Sequence, residues 1–104
     1  MKQVFIDKIV IPQNVLPQVM ERLNYNTSFL EKQPGLIENI HYERTDEQGN
    51  LVIITVATWK NPEAVERAKA AVQGDYQRLG INLAEKLKEW GVTMDRGLYQ
   101  IRKK

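Results

Sequence analysis

The chain has 104 residues, 42% of them hydrophobic and 27% charged, with a net charge of +2. One domain of that length buries roughly two thirds of its unfolded surface around a single core and leaves no room for a second, so residues 1–104 are read as one unit. The absence of cysteine excludes a disulfide framework, a thiolate nucleophile and a thiolate metal site, and so small a charge excess excludes nucleic acid or an anionic surface as the default partner.

Gln3 to Ile11 reads as a strand with Val4, Ile6 and Val10 on one face and Phe5, Ile9 and Ile11 on the other. Asp7 and Lys8 interrupt it on opposite faces, where an ion needs a partner such as Arg44 or Arg96 or else lines a cavity or seam. That interruption, with no small-residue cleavage site, argues against a signal peptide or membrane span, and a cytoplasmic protein is expected. Pro12 ends the strand. Asn14 is placed to cap a helix whose first turn tolerates Pro17 and whose stripe is Leu16, Val19, Met20, Leu23, Thr27 and Leu30. Pro34-Gly35 stops it.

Leu36 to Arg44 alternates, with Leu36, Ile40 and Tyr42 opposite Ile37, Asn39, His41 and Glu43, the pattern of an edge strand. Asp46 to Asn50 is a polar turn whose Gly49 suits a hairpin. Leu51 to Trp59 follows, β-branched and apolar on both faces. Asn61 is an N-cap, Pro62 opens the second helix and Glu63 favours its dipole; Val65, Ala68, Val72, Tyr76 and Leu79 form its stripe and Gly80 closes it. Asn82 and Glu85 resemble a capping box for a short third helix carrying Leu83, Leu87 and Trp90, ended by Gly91. Val92 to Arg102 is the last strand, with Val92, Met94 and Leu98 opposite Tyr99 and Ile101. The basic tail Arg102, Lys103 and Lys104 reads as a solvated terminus.

This order predicts an α+β sandwich, a ferredoxin-like βαββαβ unit with a short extra helix before the last strand. Strands one and three lie centrally in that topology, and they are the two that are apolar on both faces. Helices cover only one side of such a sheet. The remedy for the other side is a twin subunit, so a homodimer packed sheet face to sheet face is expected.

The stretches P-G-L-I-E-N-I-H-Y-E-R at 34–44, G-N-L-V-I-I-T-V-A-T-W at 49–59, A-K-A-A-V-Q at 68–73 and G-V-T-M-D-R-G-L-Y at 91–99 resemble the antibiotic biosynthesis monooxygenase family of dimeric α+β barrels. The resemblance covers nearly the whole chain and implies a pocket between sheet and helices, with Trp59 matching the tryptophan that ends the third strand. It implies a monooxygenase that needs no bound cofactor and acts on a small aromatic or quinol metabolite. Such barrels also include haem-degrading enzymes, isomerases and proteins of no known activity, so a non-catalytic barrel that binds a small molecule is the alternative. Family oxygenases carry Asn four residues before that tryptophan, where this chain has Thr55, and the haem degraders a His on the second helix, where 63–79 has none.

Cofactor-free oxygenation asks a protein for a base, a dry pocket and an aromatic wall. Trp59 suits a stacking wall or a core position, and His41, the single histidine, suits a base or an exposed edge. Asp7 is a third catalytic candidate. The window Asn24-Tyr25-Asn26-Thr27-Ser28 is poor helix material, so Asn26 and Thr27 are candidates to face a ligand, with Thr55 and the Tyr76 hydroxyl beside them; a solvated face and a core tyrosine are the alternatives. One histidine, no cysteine and scattered carboxylates offer no metal-ligand spacing, and isolated glycines offer no phosphate loop, so no metal, flavin or nicotinamide is indicated. RNA-recognition domains share this order of elements but display aromatics on the third strand, and Val52 to Thr58 is aliphatic.

Overall fold

A computed structural model of the protein describes residues 1–103; Lys104, the end of the basic tail, lies outside them. The elements are β1 (Gln3–Ile11), α1 (Leu16–Glu31), β2 (Leu36–Thr45), β3 (Leu51–Trp59), α2 (Pro62–Leu79), α3 (Leu83–Glu89) and β4 (Thr93–Tyr99). The strands form one antiparallel sheet in the order β2-β3-β1-β4, the ferredoxin-like α+β fold with the two doubly apolar strands at its centre.

β1 and β3 pair along their full lengths, from Gln3↔Trp59 to Ile11↔Leu51. Their odd-numbered side chains face the helices. Ile9, Ile11 and Ile53 form one core cluster with Val19 of α1 and with Val92, and Leu16, Met20, Leu23, Leu87 and Trp90 pack around it. Ala57 and Trp59 form a second with Ala64, Val65 and Ala68 of α2, flanked by Phe5, Leu30 and Leu36. Each large side chain so buried contributes about 1.5–3 kcal/mol. On the opposite face Val52 is buried, whereas Val4, Ile6, Val10, Ile54 and Val56 are only partly so. The molecule is a slab of 40 × 40 × 18 Å, and its radius of gyration of 14.3 Å exceeds the about 13 Å of a rounder domain of this length. One sheet and one helix layer account for that thickness.

Several local features differ from the sequence expectation. Asn14 is not a cap: Val15 N–H donates to the Pro12 carbonyl at 3.2 Å, a 3-10 turn over Gln13–Val15 encloses Asn14, and α1 begins at Leu16 without a side-chain cap. A β-bulge between Leu36 and Glu38 sets Leu36 opposite Trp59 on the helix side, away from Ile40 and Tyr42. No residue of α2 beyond Tyr76 is buried, so the last turn runs past the core and leaves Leu79 exposed. β4 ends at Tyr99 because its pairing with β1 runs out at Val4; Ile101 lies beyond it in solvent, and Leu98 is exposed on the edge strand. Asn61 caps α2 as expected, its Oδ1 accepting from Ala64 N–H at 2.8 Å, and Asn82 Oδ1 accepts from Glu85 N–H at 3.2 Å at the start of α3. No helix among the described residues is long and apolar enough to cross a membrane.

Gly35 joins α1 to β2 under the first turn of α2. Its φ is +92°, its carbonyl accepts from Lys60 N–H at 2.8 Å, and a Cβ there would lie 2.5 Å from Ala64 Cβ. Gly35→Ala therefore combines left-handed strain with a clash against a core helix, an expected cost of about 2–4 kcal/mol in urea unfolding. Gly80→Ala, at φ +69° with open space around it, is expected to cost only about 1 kcal/mol.

Candidate functional site

The helix-facing side of the sheet is apolar at both ends and polar across its middle. Register aligns His41 with Thr55, Thr55 with Asp7, and Asp7 with Arg96, one residue from each strand. Arg96 donates from Nε to Asp7 Oδ1 at 3.1 Å and from Nη2 to Oδ2 at 3.0 Å, a bidentate pair whose carboxylate side chain is 15% exposed and whose guanidinium is 55% exposed. The same guanidinium lies 5.4 Å from the Phe5 ring centre, and Lys69 covers that ring at 5.7 Å. Of the two partners sequence reasoning offered Asp7, Arg96 is the one it takes. His41, on the edge strand, is exposed.

Beside this row α3, seven residues or about two turns long, leaves a gap between itself and α1. The gap is a cleft with a hollow of about 230 Å³ lined by Gln18, Glu21 and Arg22 of α1 and by Ile81, Leu83, Lys86 and Trp90. A recess of about 30 Å³ continues toward the sheet, where Ile9, Leu23, Asn26, Leu87 and Met94 join Arg22, Leu83 and Trp90 in its wall. Ile9 and Met94 are cross-strand partners one step along the sheet from Asp7 and Arg96.

Arg22 is the centre of the cleft. Its guanidinium carbon lies 4.9 Å from the Tyr25 ring centre and 5.7 Å from that of Tyr76. Both tyrosines are held in turn. Tyr25 Oη donates to Asp75 Oδ2 at 2.7 Å, and the Tyr76 hydroxyl donates to Asn26 Oδ1, so two bonds tie α1 to α2. Arg78 Nη2 donates to the other Asp75 oxygen at 2.7 Å. The Tyr25 bond, followed by the Arg78 bond, holds the Asp75 carboxyl below its usual range against the opposing effect of burial, and the same Asp75 bond raises the Tyr25 phenol. Nη1 of Arg22 is buried without a hydrogen-bond partner, the one such side-chain nitrogen or oxygen among the described residues.

The expected site residues therefore fall into separate places. Asn26 reaches the recess and Tyr76 is bonded to it; Tyr76 is 8% exposed, so its ring is core and its hydroxyl is engaged by α1. The polar window of α1 is explained by its ties to α2, with Thr27 part-buried on the stripe. Trp59 is 3% exposed within the α2 cluster, about 13 Å along the strand from Thr55. Its ring has no free face. Arg22 and Trp90 were missing from the expected site. The sequence does carry a trace of Arg22, which flanks the apolar stripe with Gln18, Val19, Tyr25 and Asn26 at i±3 and i±4 and no carboxylate among them.

No family sequence model and no curated protein sequence matches the chain. Solved structures do. A point variant of SnoaB, a cofactor-independent oxygenase from Streptomyces nogalater, superposes with TM-score 0.71 at 20% identity over 99% of this chain and 95% of that one. The chain has the fold of the antibiotic biosynthesis monooxygenases. A Deinococcus radiodurans protein described as a putative antibiotic biosynthesis monooxygenase matches with TM-score 0.69 at 16% identity, covering 98% of this chain and 94% of that one. Rv0793 from Mycobacterium tuberculosis matches with TM-score 0.73 at 8% identity, covering 100% and 98%. At such identities the likeness is one of backbone, and chemistry has to be argued from the side chains.

The Tyr25–Asp75–Arg78 network has a pH signature. A carboxyl whose folded value lies below its ordinary 3.8 adds stability above that value and loses it as pH falls through the folded one. Asp75→Asn and Tyr25→Phe are each expected to lower the urea midpoint near neutral pH, and the gap from the unmodified protein should narrow as pH drops below the ordinary carboxyl range. The difference between variants isolates the effect, because Asp46 is lowered too, by bonds from Asn50 and Gln48 that outweigh its burial.

Proposed function

We propose that this protein is a cofactor-independent monooxygenase that oxidises a small aromatic quinol in the α1–α3 cleft, working as a homodimer. The observation that carries the reading is the cleft itself: a hollow of about 230 Å³ walled by Trp90 with a recess that reaches Ile9 and Met94, the pair next to Asp7 and Arg96 on the same face of the sheet, in a backbone shared with a cofactor-independent oxygenase. In the reaction a hydroquinone takes up one dioxygen, one oxygen atom becomes a new ring oxygen, the other leaves as water, and the product is a hydroxyquinone. No further reductant is needed. The protein's tasks are to favour the ionised phenol and to keep water out.

Asp7 is the proton acceptor in this scheme. Arg96 occupies one lone pair on each of its oxygens and leaves the others free, and the ion pair keeps the carboxylate oriented. Thr55 lies next to it in register, and His41 beyond that is a relay to solvent at the sheet edge. Trp59 supports the far end of the same face as packing. The alternative, a barrel that binds a small molecule without turnover, draws support from Thr55 in the place of the family asparagine and from the engaged Trp59 ring.

The homodimer is supported by the slab shape and by the aliphatic face of β1 and β3. Val4, Ile6, Val10, Ile54 and Val56 form a contiguous apolar surface, and Lys8 in its midst stands opposite Asp95 in register. The absence of cysteine fits a reducing, cytoplasmic setting.

Oxygen-electrode measurements with a panel of benzene and naphthalene hydroquinones test the enzyme. Uptake above the uncatalysed rate is expected without added flavin, nicotinamide or metal, and Asp7→Asn should lower kcat about a hundredfold; uptake no faster than in buffer leaves the binding reading. Light scattering should report twice the chain mass, and Ile54→Asp should reduce it to one.

A further inference from the structure

Arg22 combines three properties that rarely coincide. It is flanked by tyrosine rings, which hold the plane of its guanidinium; its Nη1 is buried with no acceptor; and it lines both parts of a cleft that opens to solvent. A charged donor group without an acceptor is costly, and Arg22 forms no salt bridge with any described residue, so its guanidinium is left for an acceptor that arrives from outside. Bonds from Tyr25 to Asp75 and from Tyr76 to Asn26 fix the two rings, so the arrangement is rigid before any ligand enters. Asp75 itself is engaged by Tyr25 and Arg78 and does not discharge this role.

The neighbours narrow the chemistry. Trp90 and Leu83 give the hollow an apolar wall suited to a flat ring, while Lys86 adds positive charge at the mouth against the single carboxylate of Glu21. Lys86 reaches Glu89 at 3.8 Å on the exposed side of α3. The hollow has room for one or two rings.

We infer that the α1–α3 cleft is a receptor for planar aromatic acids, the anionic oxygen accepting from the Arg22 guanidinium while the ring lies against Trp90. The shared requirement is an oxyanion on an aromatic ring, met by an aryl carboxylate or by an ionised phenol. The inference deepens the oxygenase reading, since the ionised phenol is the form of a quinol that reacts with dioxygen, but it concerns affinity and stands or falls without turnover.

Equilibrium binding of 2-naphthoate and of its neutral isostere 2-naphthamide, followed by quenching of tryptophan fluorescence and by calorimetry, provides the test. The acid is expected to bind about 10- to 100-fold more tightly than the amide, the span of one charge-assisted hydrogen bond. Arg22→Gln should remove that preference, Arg22→Lys should restore part of it, and Trp90→Phe should abolish most of the quenching and weaken acid and amide alike. Equal binding of acid and amide, no binding of the acid, or an undiminished preference in Arg22→Gln each overturns the inference. The comparison of the two ligands on the unaltered protein decides the matter even if the variants fail to fold. Acid binding without oxygen uptake would sink the enzyme reading alone, and quinol oxidation without acid selectivity would sink this inference alone.

Discussion

The uninterrupted pairing of β1 with β3 is the constraint from which the rest of the molecule follows. Full-length antiparallel register, Gln3 against Trp59 through Ile11 against Leu51, commits every odd-numbered residue of both strands to the helix side. A slip of one residue would send Ile9, Ile11, Ile53, Ala57 and Trp59 to the other face and dismantle both core clusters. The same register lines up Asp7 and Thr55 between those clusters. A polar belt across a sheet is tolerable only where its ion is paired, and Arg96 from the neighbouring edge strand supplies the pair.

Above that belt the helices are unequal. α1 and α2 are long and are pinned together by two side-chain bonds, whereas α3 is short and packs through Leu87 with Trp90 just beyond its end. Covering a four-stranded sheet with two and a half helices leaves a gap, and it falls between α1 and α3. The cleft is therefore a consequence of helix length as much as of any particular side chain. Its walls then acquire chemistry from Arg22, which the α1–α2 ties hold between two aromatic rings. The tyrosines do structural work and orient the cation through the same contacts. That economy explains why the middle of α1 is rich in residues that are indifferent helix formers.

The fold was legible because it is written in periodicities and punctuation: two doubly apolar strands, one alternating edge strand, proline and glycine at helix ends, and Asn61 and Asn82 as caps. The differences from that pattern are local. Asn14 looked like a cap but was taken up in a 3-10 turn that Pro12 initiates, and Leu36 changed faces because a bulge is invisible to a strict period of two. Leu79 and Ile101 continue their patterns past the point where any partner remains to cover them.

By itself the amino-acid sequence determined which segments are strands and helices, which strands lie in the centre, and that Asp7 needs a counter-ion, since these depend on residues near in the chain or on a face counted by simple alternation. The tertiary structure alone decided that Arg96 is that counter-ion, that Trp59 is enclosed while Trp90 borders a cleft, and that Arg22 meets Tyr76 across a helix pair. Those outcomes turn on distances between groups fifty to ninety residues apart and on how far a short helix reaches. Neither is encoded in any local pattern, so only the packed chain could settle where an unpaired charge would face a cavity.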